Sequence, residues 1–462
     1  MRRSEILAPA GSAEALAAAL AAGADAVYFG LDDGWNARAR ADNFRLDELP
    51  ATMRQIHRAG ARGYLTLNTL VFEAELAPVE RLIRAAAAAG VDALIVQDPA
   101  VALIARAVCP ALELHASTQM TLSSPEAAAV AARLGITRIV VPRELSVDEI
   151  RAFAQASPIE LEVFVHGALC VSWSGQCLTS ESWGGRSANR GQCAQSCRLP
   201  YDLVVDGERR DLGDVTYLLS PQDLAGAPAV ADLMAAGVAS LKIEGRQKSA
   251  AYVATTVDGY RRWRDAVLAD AADPAALGED LAAMTLAYSR GASLGFLGGV
   301  DHQRLVVGRA PKHRGAYLGR VVAIGARTVE VVRDDDGRAW TGGLALPARP
   351  AAAVAAPDRV PAPRPTPVAP RPGQGVVFDD GHPEAAEAGG PIFSVTELAD
   401  DRWLLGFGSP GPDLRAIAVG TRLWVTSDPA HHRAVEQLTR AASTVACQSR
   451  CRWRARPNVR WW

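Results

Sequence analysis

Residues 161–177 read Leu161-Glu162-Val163-Phe164-Val165-His166-Gly167-Ala168-Leu169-Cys170-Val171-Ser172-Trp173-Ser174-Gly175-Gln176-Cys177. The run Leu161–His166 is rich in β-branched and aromatic residues, the composition of a strand. It ends in a histidine, then a glycine, then a cysteine four residues on. Working outward, seven other short apolar runs have the same look: Ile6-Leu7-Ala8, Ala26–Gly30, Tyr64–Asn68, Ala93–Gln97, Leu112–Ser117, Arg138–Pro142 and Ser240–Glu244. Stretches with apolar residues at helical spacing lie between them, among them Ala13–Ala22, Leu76–Ala89, Pro125–Leu134 and Val147–Gln155. Gly23, Gly60, Gly90 and Gly135 stand where helix C-caps are expected. Strand–helix alternation predicts parallel strands with covering helices. Eight such units predict a TIM-like (β/α)8 barrel over residues 1–300, with a doubly wound sheet as the alternative.

In such a barrel the functional groups gather at the C-terminal ends of the strands. Those ends are polar here: Asn68, Gln97 with Asp98, His115 with Thr118 and Gln119, Arg143 with Glu144, His166, and Lys242 with Glu244 and Arg246. Loops are polar in any protein, so each position also has a purely structural reading. The repeat is interrupted after the seventh strand by a long loop, residues 167–216, on the same presumed face. Long loops in compact domains are usually functional.

That loop holds Cys170, Cys177, Cys193 and Cys197, spaced C-x6-C-x15-C-x3-C; the chain's other cysteines are Cys109, Cys447 and Cys451. Four thiolates converging from a Gly-rich loop suit an iron–sulfur cluster or a tetrahedral zinc. The first pair, C-x6-C, is loose for a zinc knuckle, and both metals stay open on spacing alone. The segment Gly184-Gly185-Arg186-Ser187-Ala188-Asn189-Arg190-Gly191 offers Arg186, Ser187, Asn189 and Arg190 as donors for an anion or for sulfur, or forms a plain Gly-rich turn. Zinc-protease and nucleophile-elbow motifs are missing, as are a P-loop and a dinucleotide fingerprint.

The 462 residues are 49% hydrophobic with a net charge of −2. Nothing global points to nucleic acid, so any RNA-binding face must be a local patch. Lys242, Lys248 and Lys312 are the only lysines among 49 basic residues. That bias reads as genomic composition rather than chemistry. The N-terminus lacks the apolar core of a signal peptide. No apolar run reaches the ~18 residues of a membrane span. The expectation is a cytoplasmic protein with reduced thiols and no membrane partner.

After residue 300 the pattern changes. Gly315–Ile324, Thr328–Arg333, Gly375–Phe378, Ile392–Thr396 and Trp403–Gly406 predict a small all-β module over 301–428. A Pro/Ala/Arg stretch, residues 346–373, interrupts it as a low-complexity insertion. Residues 429–462 form a basic tail with Cys447, Cys451 and a Trp461-Trp462 end. Its composition suits RNA by charge and stacking, or a disordered terminus.

At the cysteine segment the chain resembles the collagenase-like peptidase U32 family. The resemblance rests on Glu162–Cys170, on Ser174-Gly175-Gln176-Cys177-Leu178-Thr179-Ser180 and on Gly185–Tyr201. Leu7-Ala8-Pro9-Ala10-Gly11-Ser12, Ala24–Gly30 and Leu241-Lys242-Ile243-Glu244-Gly245-Arg246 extend it. Pro311–Gly319 and Leu423–Ala430 are similar to the ribosomal-RNA hydroxylation branch. Members of that branch continue into a further domain, which the remaining residues here do not resemble. The resemblance implies hydroxylation of a large-subunit rRNA cytidine, prephenate as the source of the hydroxyl group, and the four cysteines as [4Fe–4S] ligands. Other branches modify transfer-RNA uridine or hydroxylate a ubiquinone precursor. Within it, barrel position makes His166 and Glu244 candidates for proton transfer. Arg143, Lys242 and Arg246 are candidates to hold the carboxylates of a small anionic donor. A peptidase and a non-catalytic, metal-stabilised RNA-binding module are the competing readings.

Overall fold

The computed structural model describes residues 2–32, 34–333, 369–399, 401–409 and 411–437. Seven strands follow in chain order: β1 (Glu5–Ala10), β2 (Ala26–Phe29), β3 (Arg62–Leu67), β4 (Ala93–Val96), β5 (Glu113–Ala116), β6 (Arg138–Val140) and β7 (Glu160–Ala168). Each pairs in parallel with the next. An eighth strand, Ser240–Ile243, pairs in parallel with both β7 and β1 and closes the ring. That closure makes the fold the (β/α)8-type barrel that the alternation predicts, rather than an open doubly wound sheet.

The helices form for local reasons. Ser12, Ser124, Ser146 and Ser249 each cap a helix by accepting a backbone N–H through the side-chain oxygen. At the opposite ends Gly60 (φ 77°) and Gly90 (φ 78°) take the left-handed conformation that stops a helix. Apolar faces of these helices bury against the outside of the strands in one continuous core that includes Leu16, Met53, Ile83, Val101, Ile150 and Val257.

The barrel axis is not apolar, which the strand pattern did not predict. Glu162, Arg138, His115 and Lys242 are buried in the strand bodies. Glu162 meets Lys242 at 2.7 Å and Arg138 at 3.6 Å; Arg138 also meets Glu5 at 2.9 Å. Buried charges persist only when paired, and these partners lie 24 to 133 residues apart in sequence, out of reach of a local pattern.

Beyond β7 the chain leaves the ring. It forms a small hairpin, Leu203–Val205 with Glu208–Arg210, then a strand, Asp223–Ala225, that runs antiparallel to the end of β7. Ala292–Ser293 adds in parallel to that strand. The sequence signal for these three-residue and shorter pieces is too brief to read. The long helix Ala250–Leu268 packs across Ala13–Ala21.

The C-terminal part is a closed antiparallel barrel of six strands: Ala316–Ile324, Thr328–Val332, Gly375–Asp379, Gly389–Ala399, Arg402–Phe407 and Arg422–Ser427. Leu318, Val321, Val329, Val331, Leu405, Leu423 and Val425 fill it. Five strands match the predicted runs, and Arg422–Ser427 supplies the sixth. Arg422 pairs with Asp214 of the first barrel's loop. Most of the Pro/Ala/Arg stretch, residues 346–368, and the tail beyond 437 with Cys447 and Cys451 lie outside the described residues. Among the described residues no helix is long and apolar enough to cross a membrane.

Candidate functional site

The C-terminal ends of the barrel strands open into a cavity of about 430 Å³. Tyr28 and Thr66 line it from β2 and β3, Asn68 and Arg143 from the loops after β3 and β6, Phe164 from β7, and Lys242 from the closing strand. The cysteine loop folds over the same opening, so Cys170, Cys177, Cys193 and Cys197 all line it.

The loop is stapled to the barrel at several points. Ser174 donates through its N–H (2.9 Å) and Oγ (3.1 Å) to Glu144. Thr121 Oγ1 donates to the Ser174 carbonyl at 2.8 Å. Arg190 forms a fork on Glu75, both bonds 2.7 Å. Two glycines permit the close approach. A Cβ on Gly175 would meet the Gln119 carbonyl at 2.3 Å, and one on Gly191 would meet the Asn36 carbonyl at 2.2 Å. Arg190 is therefore a staple, and Asn189 reaches the cavity wall.

All four thiols are free. Burial pushes Cys170 and Cys197 up, and each is pushed further by the neighbouring thiols, which stand close enough to interact. Burial also opposes ionisation of Cys177, but hydrogen bonds from Ser172, Thr179 and the Ser180 backbone outweigh it and bring that thiol down. Cys193 Sγ receives the Ser180 hydroxyl at 3.8 Å and the Gln195 N–H at 3.4 Å. Among the described residues no three His, Cys, Asp or Glu side chains are gathered for a single metal ion. The donor set is four sulfurs lining one cavity, two of them supported by hydrogen bonds, and its chemistry suits a soft, sulfur-ligated inorganic group.

The floor is ionic. Glu244 meets Arg38 and Arg143, both at 3.2 Å. Burial alone would raise its pKa; Arg38, Arg143 and Arg246 bring it down to about 2. Glu244 is an ionised acceptor, not a poised acid. Arg143 also lies 4.0 Å over the Phe164 ring. Arg246 is buried and donates to Asn36 (3.1 Å) and Thr66 (2.9 Å); burial lowers it to about 10. Lys242 is bound to Glu162 and lies 4.5 Å over the Tyr28 ring. These sequence-predicted residues do meet in one cavity.

His166 does not join them. By two-residue alternation from Glu162 and Phe164 it should point inward. A bulge intervenes: Lys242 faces Phe164 but Ile243 faces His166, so Val165 is skipped. The phase flips, and the imidazole packs against Tyr252 and Tyr260 of the long outer helix, with Nδ1 3.3 Å from the Tyr260 hydroxyl. Burial lowers its pKa to about 4. His115 sits inside the barrel against Tyr64, Asp98 caps a helix, and Gln97 donates to the Gln119 carbonyl.

Sequence reasoning missed several lining groups: Arg38, Arg198, Lys248, Tyr288, Arg290, Lys312 and the half-exposed Trp173. Nine Lys and Arg side chains line the cavity against one carboxylate, Glu244. A signal was present in the composition. All three lysines of the chain, Lys242, Lys248 and Lys312, are among them.

Residues 11–306 match the model of Peptidase family U32. The chain is 44% identical over 271 residues to a 23S rRNA 5-hydroxycytidine synthase of Escherichia coli, covering 59% of this chain and 41% of that protein. It is 39% identical over 274 residues to a tRNA hydroxylation protein of Bacillus subtilis, covering 58% and 65%. It is 35% identical over 300 residues to a collagenase of Porphyromonas gingivalis, covering 62% and 72%. The chain thus spans less than two thirds of the length of the first two relatives.

Proposed function

The chain belongs to peptidase family U32, and from that premise we propose that it hydroxylates a base in structured RNA. A large-subunit rRNA cytidine is the target in this reading, and prephenate is the hydroxyl donor. The observation that carries the proposal is the cavity: a cationic pocket roofed by four thiols, with nine basic side chains to one acid. Such a pocket attracts phosphate and carboxylate groups. Trp173, 48% exposed at its edge on a loop pinned through Ser174, offers a face on which an unstacked base can lie.

Cys170, Cys177, Cys193 and Cys197 are the residues that would hold a [4Fe–4S] cluster. When bound, the cluster would supply one-electron chemistry at the roof of the cavity. Zinc takes the same four ligands and is the alternative occupant. Glu244 holds Arg38 and Arg143 at fixed positions below. The reading implies a reducing, cytoplasmic setting.

A peptidase would need a thiol activated by a histidine. His166 faces Tyr260 instead, and among the described residues no cavity cysteine has a histidine partner. Nucleoside mass spectrometry of RNA from cells carrying or lacking the gene tests the proposal. The hydroxylated cytidine should vanish on deletion and return with the intact gene. An unchanged nucleoside profile would overturn the function, and a colourless, iron-free protein that stays folded after anaerobic purification would overturn the cluster.

A further inference from the structure

The basic groups around the cavity divide into two sets. Arg38 and Arg143 share the single carboxylate of Glu244, Lys242 pairs with Glu162 and Arg290 with Asp223. Arg246 spends its donors on Asn36 and Thr66. Lys248 and Arg198 differ. Neither has a carboxylate within ion-pair distance among the described residues, which is also true of the lining Arg40 and Lys312; what sets Lys248 and Arg198 apart is the neutral groups that hold them in place.

Arg198 is pinned by neutral groups: Nη1 donates to Ser220 Oγ (2.7 Å) and the Pro221 carbonyl (2.5 Å), and Nη2 to the Leu169 carbonyl (2.8 Å). Its position is fixed and its charge is left over. The Lys248 ammonium stands 3.1 Å from the centroid of the Tyr288 ring, and Arg290 lies 5.8 Å from the same ring. An aromatic face holds a cation in place without neutralising it. Tyr288 is in turn stacked on His313 at 5.2 Å, so the plate itself is braced. Burial and the nearby Arg290 lower the Lys248 pKa to about 8, against the opposing pull of Asp223 and Glu244.

We propose that Lys248 and Arg198, with Tyr288 as the supporting plate, form an oxyanion subsite that takes a carboxylate group of a small co-substrate. The sequence-predicted anion binders, Arg143, Lys242 and Arg246, then build the floor rather than grip the ligand. The subsite rests on the hydroxylase reading for the identity of its ligand, but not for the binding itself. It lies on the Cys197 side of the cavity, since Arg198 adjoins that cysteine in the chain, so an anion held there is brought under the thiols.

Isothermal titration of the anaerobically purified full chain with malonate, and separately with inorganic phosphate, tests the proposal without RNA or turnover. The expected result is saturable malonate binding that Lys248→Gln weakens about tenfold or more and Lys248→Arg largely preserves. Arg415→Gln, an exposed charge loss on the small barrel, should leave it unchanged. Thermal melts of each variant separate lost binding from lost folding. Malonate binding that survives Lys248→Gln, or its absence in the unaltered chain, overturns the subsite. Phosphate binding about tenfold tighter than malonate overturns the carboxylate assignment. Intact malonate binding in a chain that leaves RNA unmodified defeats the hydroxylase reading alone.

Discussion

The two barrels solve the same closure problem with opposite interiors. The six-stranded barrel is filled by Leu318, Val321, Val329, Val331, Leu405, Leu423 and Val425. Its buried charges, Arg314, Asp379 and Arg422, form ion pairs with one another and with Glu387 and Asp214 rather than entering that core. The parallel barrel instead carries Glu162, Lys242 and Arg138 through its strand bodies, each ion-paired with another. An apolar plug stabilises by burial and packing alone. A paired-charge axis stabilises little, but it fixes the rotamers of Lys242 and Arg138 beneath a polar mouth. The difference teaches where this molecule places stability and where it places position.

Five measurements would sharpen or break that contrast. The largest effect belongs to the roof. On the proposed reading Cys170→Ser should lower hydroxylated cytidine in complemented cells by about 100-fold or more, since the ligands of a cluster would act as a unit; retention of activity would separate the roof from the chemistry. Next comes the axis. Glu162→Gln leaves Lys242 and Arg138 short of a carboxylate and should cost about 3–5 kcal/mol in urea unfolding. Leu405→Ala in the small barrel should cost about 2–5 kcal/mol through its cavity. A near-neutral Glu162→Gln would mean that the axis is wet and the contrast false.

Acid should then find the floor. The Glu244 pKa is depressed, from an ordinary value of 4.5 to about 2. Its contribution is therefore fully present above about pH 4.5 and is lost as the pH falls through about 2. The stake is up to about 3 kcal/mol. Glu75, held at about 2 by the Arg190 fork despite burial, releases its staple on the cysteine loop over the same window. Glu244→Gln should flatten the part of the acid-stability profile that Glu244 contributes; a profile identical to that of the unaltered chain would show that the arginines do not depend on this carboxylate. The smallest effect is at the edge. Trp173→Ala should raise the KM for RNA by an amount worth about 1–3 kcal/mol, with Trp173→Phe recovering most of it; unchanged RNA binding would remove the stacking role.

The sequence by itself was enough for the eight-stranded barrel, because that signal is local: short β-rich runs, helical spacing, serine N-caps and glycine stops each act within a few residues. It was enough for the cysteine quartet and for most strands of the second barrel on the same grounds. Tertiary structure alone decided which polar groups face the ligand. His166 turned outward because a bulge opposite Lys242 reversed the strand's phase. Arg143 and Arg38 became floor because Glu244, 101 and 206 residues away, claimed their charge. Lys248 and Arg198 stand out because, among the described residues, no carboxylate reaches ion-pair distance of either and neutral groups hold both. Charge is settled by neighbours in space, and a chain's neighbours in space are fixed only when the ring closes.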